Sequence, residues 1–456
     1  MRITFYGGAQ SVTGSNYLLE IDLPGQGSIR ILIDCGLFQG SSEAEMKNYE
    51  KFPYDPSTIN FVFLTHSHAD HTGRLPKLYK EGFRGVLYGT PPTLDMARIA
   101  LPDNLSLLKS EAKREQHEVL FSREDLDGVM NLARGINYHQ AVDLGHGITA
   151  ILHDAGHILG SSIVEIQAEG KKIYFSGDLG NPPTPLLKPF EYPLDADYIL
   201  IESAYGNRIH EDRSKRKEIL QNIIKGTVGK GGTLMIPSFA LERTQELLYE
   251  LNNLINAKEI PRIPIFVDSP LAIKLTEVYQ KYPEYFNKQA TYLIDSGDDL
   301  FNFPGLQYMR TTEESKQIND IMPPKIIIAG SGMSNGGRIL HHEQRYLSDP
   351  NSTIMFIGYQ AEGTLGRRIF DGAKEVKIMG QKIPVRCRVE AIGGYSAHAD
   401  QPTLLKWLAA GAAGGKLKTV FVVQGEIESA SVLAKMITKE LSVPALAPAP
   451  NQTVEL

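Results

Sequence analysis

Only two cysteines occur in 456 residues, Cys35 and Cys387, far apart and each in a strand-like stretch. That spacing argues against a disulfide framework and for buried free thiols. No apolar run reaches the roughly 18 to 20 residues that a bilayer requires, and Met1-Arg2-Ile3-Thr4-Phe5-Tyr6 reads as a first strand rather than a leader. A cytoplasmic protein with no membrane partner is therefore expected. An excess of positive charge is missing too. The formal net charge of −6 argues against nonspecific coating of nucleic acid, which needs a basic surface to release counterions. Local groups remain for phosphate contact (Lys109, Lys113 and Arg114; Lys215-Arg216-Lys217; Arg367-Arg368), each reading first as a solvated helix face. Repeats, low-complexity tracts and charged tails are absent. Charged residues make up 22% and apolar ones 42%, as in a fully folded chain, and the length suits two or three domains.

What the chain concentrates is histidine. Thr65-His66-Ser67-His68-Ala69-Asp70-His71 follows the apolar stretch Phe61-Val62-Phe63-Leu64, and no packing argument asks for such a run. Alternate side chains of an extended chain share a face, so His66 and His68 can grip one cation while the turning chain frees Asp70 and His71 for a second. Imidazole and carboxylate are the usual ligands of hydrolytic zinc, where an open coordination position activates water. Further ligands should come from other strand ends. Asp154-Ala155-Gly156-His157-Ile158-Leu159-Gly160-Ser161 follows the apolar run Ile148 to Leu152 and makes His157 the candidate third imidazole. Lys172-Ile173-Tyr174-Phe175-Ser176-Gly177-Asp178-Leu179-Gly180 ends another apolar strand with Asp178, the candidate bridge. His117, His139, His146, His153 and His210 match no motif and read as structural.

From Met1 to about Gly206, short strand-like runs alternate with Gly and Pro turns, as in half of a sandwich. A helical insertion over roughly Thr93 to Arg134 carries Leu94, Ala97, Leu101, Leu105 and Leu108 at spacings of three and four, placed to cover the metal face. From about Asn207, helices alternate with single buried strands, the pattern of a parallel α/β sheet. Lys382 to Ile392 alternates again, Ala409 to Gly415 reads as a small-residue loop, and Thr419 to Val423 reads as a strand that returns the chain to its first part.

The order His-x-His-x-Asp-His, then a separate His and a separate Asp, resembles the metallo-β-lactamase superfamily. Leu200-Ile201-Glu202-Ser203-Ala204-Tyr205-Gly206-Asn207 and Gly394-Tyr395-Ser396-Ala397-His398-Ala399-Asp400 resemble motifs of its β-CASP nucleases. Ile236-Pro237-Ser238-Phe239-Ala240, Asp268-Ser269-Pro270-Leu271, and Gly330-Ser331-Gly332-Met333 with Gly336-Gly337-Arg338 resemble the RNA-processing branch, which includes the cleavage-and-polyadenylation endonuclease. The resemblance covers nearly the whole chain. It implies an α/β fold, a metallo-β-lactamase αββα sandwich over 1–206 and 386–456 with an inserted β-CASP parallel-sheet domain over 207–385, and an active site in the cleft between them. It also implies two zinc ions: His66, His68 and His157 on one, Asp70 and His71 on the other, Asp178 shared. Asp70 would orient or deprotonate the attacking water, and His398, backed by Glu202, would protonate the leaving oxygen. The implied activity is hydrolysis of phosphodiester bonds in single-stranded RNA, endonucleolytic and extending to exonucleolytic, with a homodimer left open.

One position departs from the resemblance. Val422-Val423-Gln424-Gly425-Glu426 has a glutamine where the RNA-cleaving branch carries a histidine as the last ligand of the second metal. A neutral amide oxygen is the poorer zinc donor, so the second ion should bind more weakly. In the inserted domain, the loop Gly330 to Asn335 before a helix offers N–H groups and a positive dipole end to a phosphate. Ser331, Gly332, Met333 and Arg338, with one of His341 and His342, are the expected RNA contacts. Other readings stand beside this one: a catalytically weak RNA-binding scaffold, whose usual mark is loss of several ligands; a DNA nuclease of the same fold; and a lactamase- or glyoxalase-like hydrolase, which needs no such insertion.

Overall fold

Apolar alternation decides the first half of the architecture. Ile3, Phe5, Leu19, Ile21, Ile31, Ile33 and Phe63 point to one side of a seven-stranded sheet and meet Ala150, Leu152, Val164, Ile166, Ile173 and Phe175 from a second seven-stranded sheet. Residues one step out of phase face outward. Leu18, Leu32, Val62 and Leu87 pack under helices Pro91–Glu115 and Arg123–Asn131. Ile163, Tyr174, Ile199, Ile201, Val420 and Val422 pack under Gln401–Ala412 and Ile427–Leu441. The result is an αββα sandwich, in which a one-residue slip of any strand would exchange core for surface.

In this computed structural model residues 1–210, 215–358, 360–393 and 396–456 are described. The chain forms two compact units, Met1–Ile209 with Ala397–Leu456, and His210–Ser396. The C-terminal segment completes both sheets of the first unit: Thr419–Val423 runs parallel to Tyr198–Glu202, and Thr453–Glu455 antiparallel to Arg2–Gly7. The second unit holds a six-stranded, all-parallel sheet in the order Leu306–Tyr308, Ile265–Asp268, Lys325–Ala329, Thr233–Pro237, Thr353–Phe356, Arg388–Ala391. Its central strands are buried along their whole length, as parallel strands covered on both faces must be.

Three details differ from the sequence reading. The return to the first unit falls at Ala397 rather than at 386, because Arg388–Ala391 pairs with Thr353–Phe356 in the parallel sheet. The insertion helix Pro91–Glu115 lays Leu94, Ala97, Leu101 and Leu105 on the outer face of the first sheet rather than over the metal face. The stretch from Ala409 continues as helix to Ala412, since alanine is the best helix former and Gly411 lets the helix approach Ile199 and Pro193. Both cysteines are free and buried. Among the described residues no helix is long and apolar enough to cross a membrane.

Candidate metal centre

Five strand ends of the first unit deliver the site residues, Gln424 following Thr419–Val423. After Phe61–Phe63 the chain leaves the sheet in an irregular segment to His68, whose extended backbone caps the one-turn helix Ala69–Thr72 carrying Asp70 and His71. Segment 34–37 cradles that turn: Cys35 N donates to His71 O (2.8 Å), Leu37 N to Ala69 O (2.9 Å), and Ser15 N to Asp70 O (2.9 Å). Gly36 has no room for a Cβ, because Asp70 O occupies that space. The loop after Ile148–Asp154 is tied by Ser161 Oγ, which accepts from His157 N (3.0 Å) and Ile158 N (3.2 Å). Asp178 follows Lys171–Phe175, and Glu202 closes Tyr198–Glu202.

At the centre, His66 Nε2 lies 3.0 Å and His157 Nε2 3.3 Å from His68 Nδ1. Asp178 Oδ2 lies 3.4 Å from His66 Nε2 and 3.5 Å from His157 Nε2. These four atoms sit within 4.8 Å of one another. Burial, followed by repulsion from the neighbouring imidazoles, holds His68 well below the usual histidine range and lowers His66. Burial likewise depresses His157, and its Nδ1 lies 3.4 Å from the Ala397 carbonyl, which leaves Nε2 for the cluster. Three neutral imidazoles and a carboxylate presenting lone pairs to one point lack the protons to satisfy each other. That chemistry fits a divalent cation.

A second group of donors lies against the first. Asp178 Oδ1 is 3.3 Å from His71 Nε2, and Asp70 Oδ2 is 3.8 Å from the same nitrogen. Gln424 Nε2 lies 2.8 Å from His71 Nε2 and donates to Asp178 Oδ1 at 2.8 Å. The amide thus occupies two atoms that a second cation would need. His71 is drawn well above its usual range: burial opposes the charge, but Asp178, Asp34 and Asp70 outweigh it. Asp178 is held well below its range by His71, His66 and His398 despite burial. Desolvation pushes Asp70 upward, partly offset by His71.

Beside the cluster stands a dyad. His398 Nδ1 is 3.0 Å from Glu202 Oε2 and 3.8 Å from Asp178 Oδ2. Glu202, fully buried, accepts from Leu179 N through Oε1 (2.5 Å). Burial alone would lower His398, but Glu202 and Asp178 raise it to about 9. Asp400, not His398, caps helix Gln401–Ala412. Gly394 and Tyr395 of the same motif lie outside the described residues.

Asp34 is the functional residue that sequence reasoning missed. Its Oδ2 lies 2.7 Å from His71 Nδ1 and 2.8 Å from Thr65 Oγ1, and its Oδ1 accepts from Thr65 N (2.8 Å). The signal was present: Ile31-Leu32-Ile33-Asp34-Cys35-Gly36 ends an apolar strand in a carboxylate before glycine, as the Asp178 segment does.

In the second unit the expected RNA contacts divide. Arg338 Nη1 donates to Asp268 Oδ1 (2.7 Å) and to Met309 O (2.9 Å), and His342, buried, places Nε2 2.7 Å from Asp268 Oδ2. Both are thus bound to a buried carboxylate, and of the histidine pair only His341 is exposed. The loop spends amides on itself rather than offering them all to a phosphate: Ser331 N donates to Gly336 O, Ser334 N to Ser331 O and Asn335 N to Ser331 Oγ. Gly332 O accepts from Gln360 Nε2 and Met333 O from Gly366 N.

A sandwich of two sheets between helices, with imidazoles and carboxylates gathered at its strand ends, defines a metallo-hydrolase of the metallo-β-lactamase class. Comparison with known proteins gives the same class and narrows it. A metallo-beta-lactamase superfamily domain matches residues 18–180, a Beta-Casp domain 244–369 and a Zn-dependent metallo-hydrolase RNA specificity domain 382–448. The chain is 39% identical over 438 residues to Ribonuclease TTHA0252 of Thermus thermophilus, covering 96% of each. It is 31% identical to the RNase J-like protein of Methanocaldococcus jannaschii (98% of this chain, 97% of that one) and to Transcription termination factor FttA of Methanosarcina mazei (100% and 72%). A crystal structure of a protein of unknown function from Enterococcus faecalis shares the fold, with a TM-score of 0.58 at 13% identity over 100% of this chain and 99% of that one. The chain belongs to the β-CASP ribonuclease family of metallo-β-lactamase hydrolases, whose members bind divalent metal.

The Asp34 contacts generate a test. Asp34→Asn should weaken metal binding at the His71 side by about 10- to 100-fold, as loss of an orienting outer carboxylate does, while the His66, His68, His157 and Asp178 group keeps its ion. Metal per chain against free zinc concentration measures this.

Proposed function

We propose that this protein is a zinc-dependent ribonuclease that hydrolyses phosphodiester bonds of single-stranded RNA in the cytoplasm. The observation that carries the proposal is the Glu202–His398 dyad beside a cluster of metal donors joined through Asp178: a held proton next to a cation site is what phosphodiester hydrolysis needs. Similarity to a ribonuclease over 96% of the chain, and to an RNA specificity domain over residues 382–448, supports RNA as substrate.

His66, His68, His157 and Asp178 would hold one zinc, and Asp70, His71 and Asp178 the second with Gln424. When bound, the two ions would supply Lewis-acid neutralisation of charge on the phosphoryl oxygens and a lowered pKa for water. The chain's own groups account for the protons. Asp70 takes a proton from the attacking water as its oxygen bonds to phosphorus. His398 gives its proton to the leaving oxygen as the other P–O bond breaks, and Glu202 holds the imidazole ring in place and charged. In the second unit, Ser331, Met333 and His341 are proposed to meet the RNA, while Gly332, Arg338 and His342 shape the loop and helix that present them.

Gln424 makes the second ion's site the weaker of the two, because its amide already pairs with His71 and Asp178. Gln424→His should therefore raise second-site zinc occupancy and the cleavage rate together; unchanged metal content and rate would contradict weak second-site binding. The zinc-loaded protein should cut end-labelled single-stranded RNA and leave the same-sequence DNA intact, with cleavage abolished in Asp70→Asn. RNA that is bound but uncut would favour a scaffold, and equal cutting of DNA would remove the RNA assignment. Glu202→Gln takes a negative charge from beside His398 and lowers the pKa of the donor. The fall in kcat/KM at high pH, which follows loss of the His398 proton, should then begin at lower pH than in the parent, and an unmoved limb would exclude His398 as the proton donor.

A further inference from the structure

The first unit gathers a second set of nitrogen and oxygen donors, on the outer side of its second sheet. His153 lies on Ile148–Asp154 out of phase with the core residues Ala150 and Leu152, so its ring leaves the sandwich interior. His153 Nε2 is 2.7 Å from Glu165 Oε2, and Nδ1 is 3.4 Å from Glu191 Oε2. His139 Nε2 lies 2.9 and 2.8 Å from the two oxygens of Glu191. One donor atom from each of His139, His153 and Glu191 falls within 4.8 Å of the others.

Two features separate this set from an ordinary surface ion pair, which holds flexible side chains loosely. All three donors stand on fixed backbone: His139 N donates to Leu152 O (2.9 Å), Glu191 N to Asp154 O (2.8 Å), and Trp407 Nε1 to Glu191 O (2.7 Å). The two nitrogens of His153 also have different partners. Glu165 is buried, accepts from Gln167 Nε2 (2.6 Å) as well, and holds a hydrogen on His153 Nε2. Nδ1 faces Glu191 Oε2; burial opposes a charge on this ring but Glu165 and Glu191 raise it to about 9, so a cation would take Nδ1 in exchange for its proton. An outer carboxylate fixing the tautomer of an imidazole in this way is the standard support of a metal-binding histidine. Two imidazoles and one carboxylate suit zinc or a similar transition metal rather than calcium or magnesium, which take oxygen. The exposed side of His139 leaves a coordination position to solvent.

We infer that His139, His153 and Glu191 form a second divalent-metal site, separate from the Asp178 cluster, with Glu165 as the residue that orients His153. The ion would clip the segment bearing His139 and the segment bearing Glu191 to the end of the strand whose continuation presents His157. Its role is structural: it stiffens the base of the His157 loop without touching substrate.

The test uses full-length protein stripped with chelator, dialysed against buffered zinc chloride and assayed for zinc per chain by mass spectrometry. His139→Asn keeps a residue that tolerates the left-handed backbone found there (φ 62°), and Glu191→Gln keeps the carbonyl that Trp407 uses. Each variant should bind one zinc fewer than the parent. The same deficit of one should persist when either change is made in a His66→Ala background, which places the lost ion outside the Asp178 cluster. Zinc content equal to the parent in both variants would overturn the assignment.

Discussion

A single buried carboxylate ties the first unit's chemistry together. Asp178 Oδ2 faces His66, His157 and His398, while Oδ1 faces His71 and Gln424. Burying such a charge without partners would be prohibitive, and a proton shared among so many acceptors would leave most of them unsatisfied. The arrangement balances when cations join it. Its geometry must therefore be built by the fold beforehand, since a ligand set assembled only on binding would spend that binding energy on ordering the loops.

The sandwich does this through strand ends. Each candidate ligand sits one to eight residues beyond a strand whose alternation is locked between a two-sheet core and an outer helix layer, so sliding any strand would cost burial on both faces. The short loops are then fixed by local bonds: Asp34 on Thr65 and His71, Ser161 on the His157 backbone, Glu202 on the Leu179 amide. The same principle recurs at His139, His153 and Glu191, where main-chain bonds to one strand end align three donors.

Much of this was legible in the residues. The density of His66, His68, Asp70 and His71 has no packing explanation, and the apolar strands before His157 and Asp178 told where those side chains would emerge. Asp34 was overlooked because a carboxylate after a strand is more often a turn residue, and only its partner His71, 37 positions away, gives it a role. His139 and His153 belong to no motif, and their meeting depends on Glu191, which the sequence gives no reason to place beside them. In the second unit, the helix–strand rhythm gave the parallel sheet. Whether Arg338 and His342 faced outward depended on Asp268, a buried acceptor that draws both inward.

The central claim is that the imidazoles around Asp178 are metal ligands rather than a buried polar cluster. Crystals of the protein grown with zinc, measured above and below the zinc absorption edge, test it directly. A strong anomalous peak is expected within the group His66, His68, His157 and Asp178, and a weaker one beside Asp70, His71 and Gln424. A map with no peak among those four residues would contradict it.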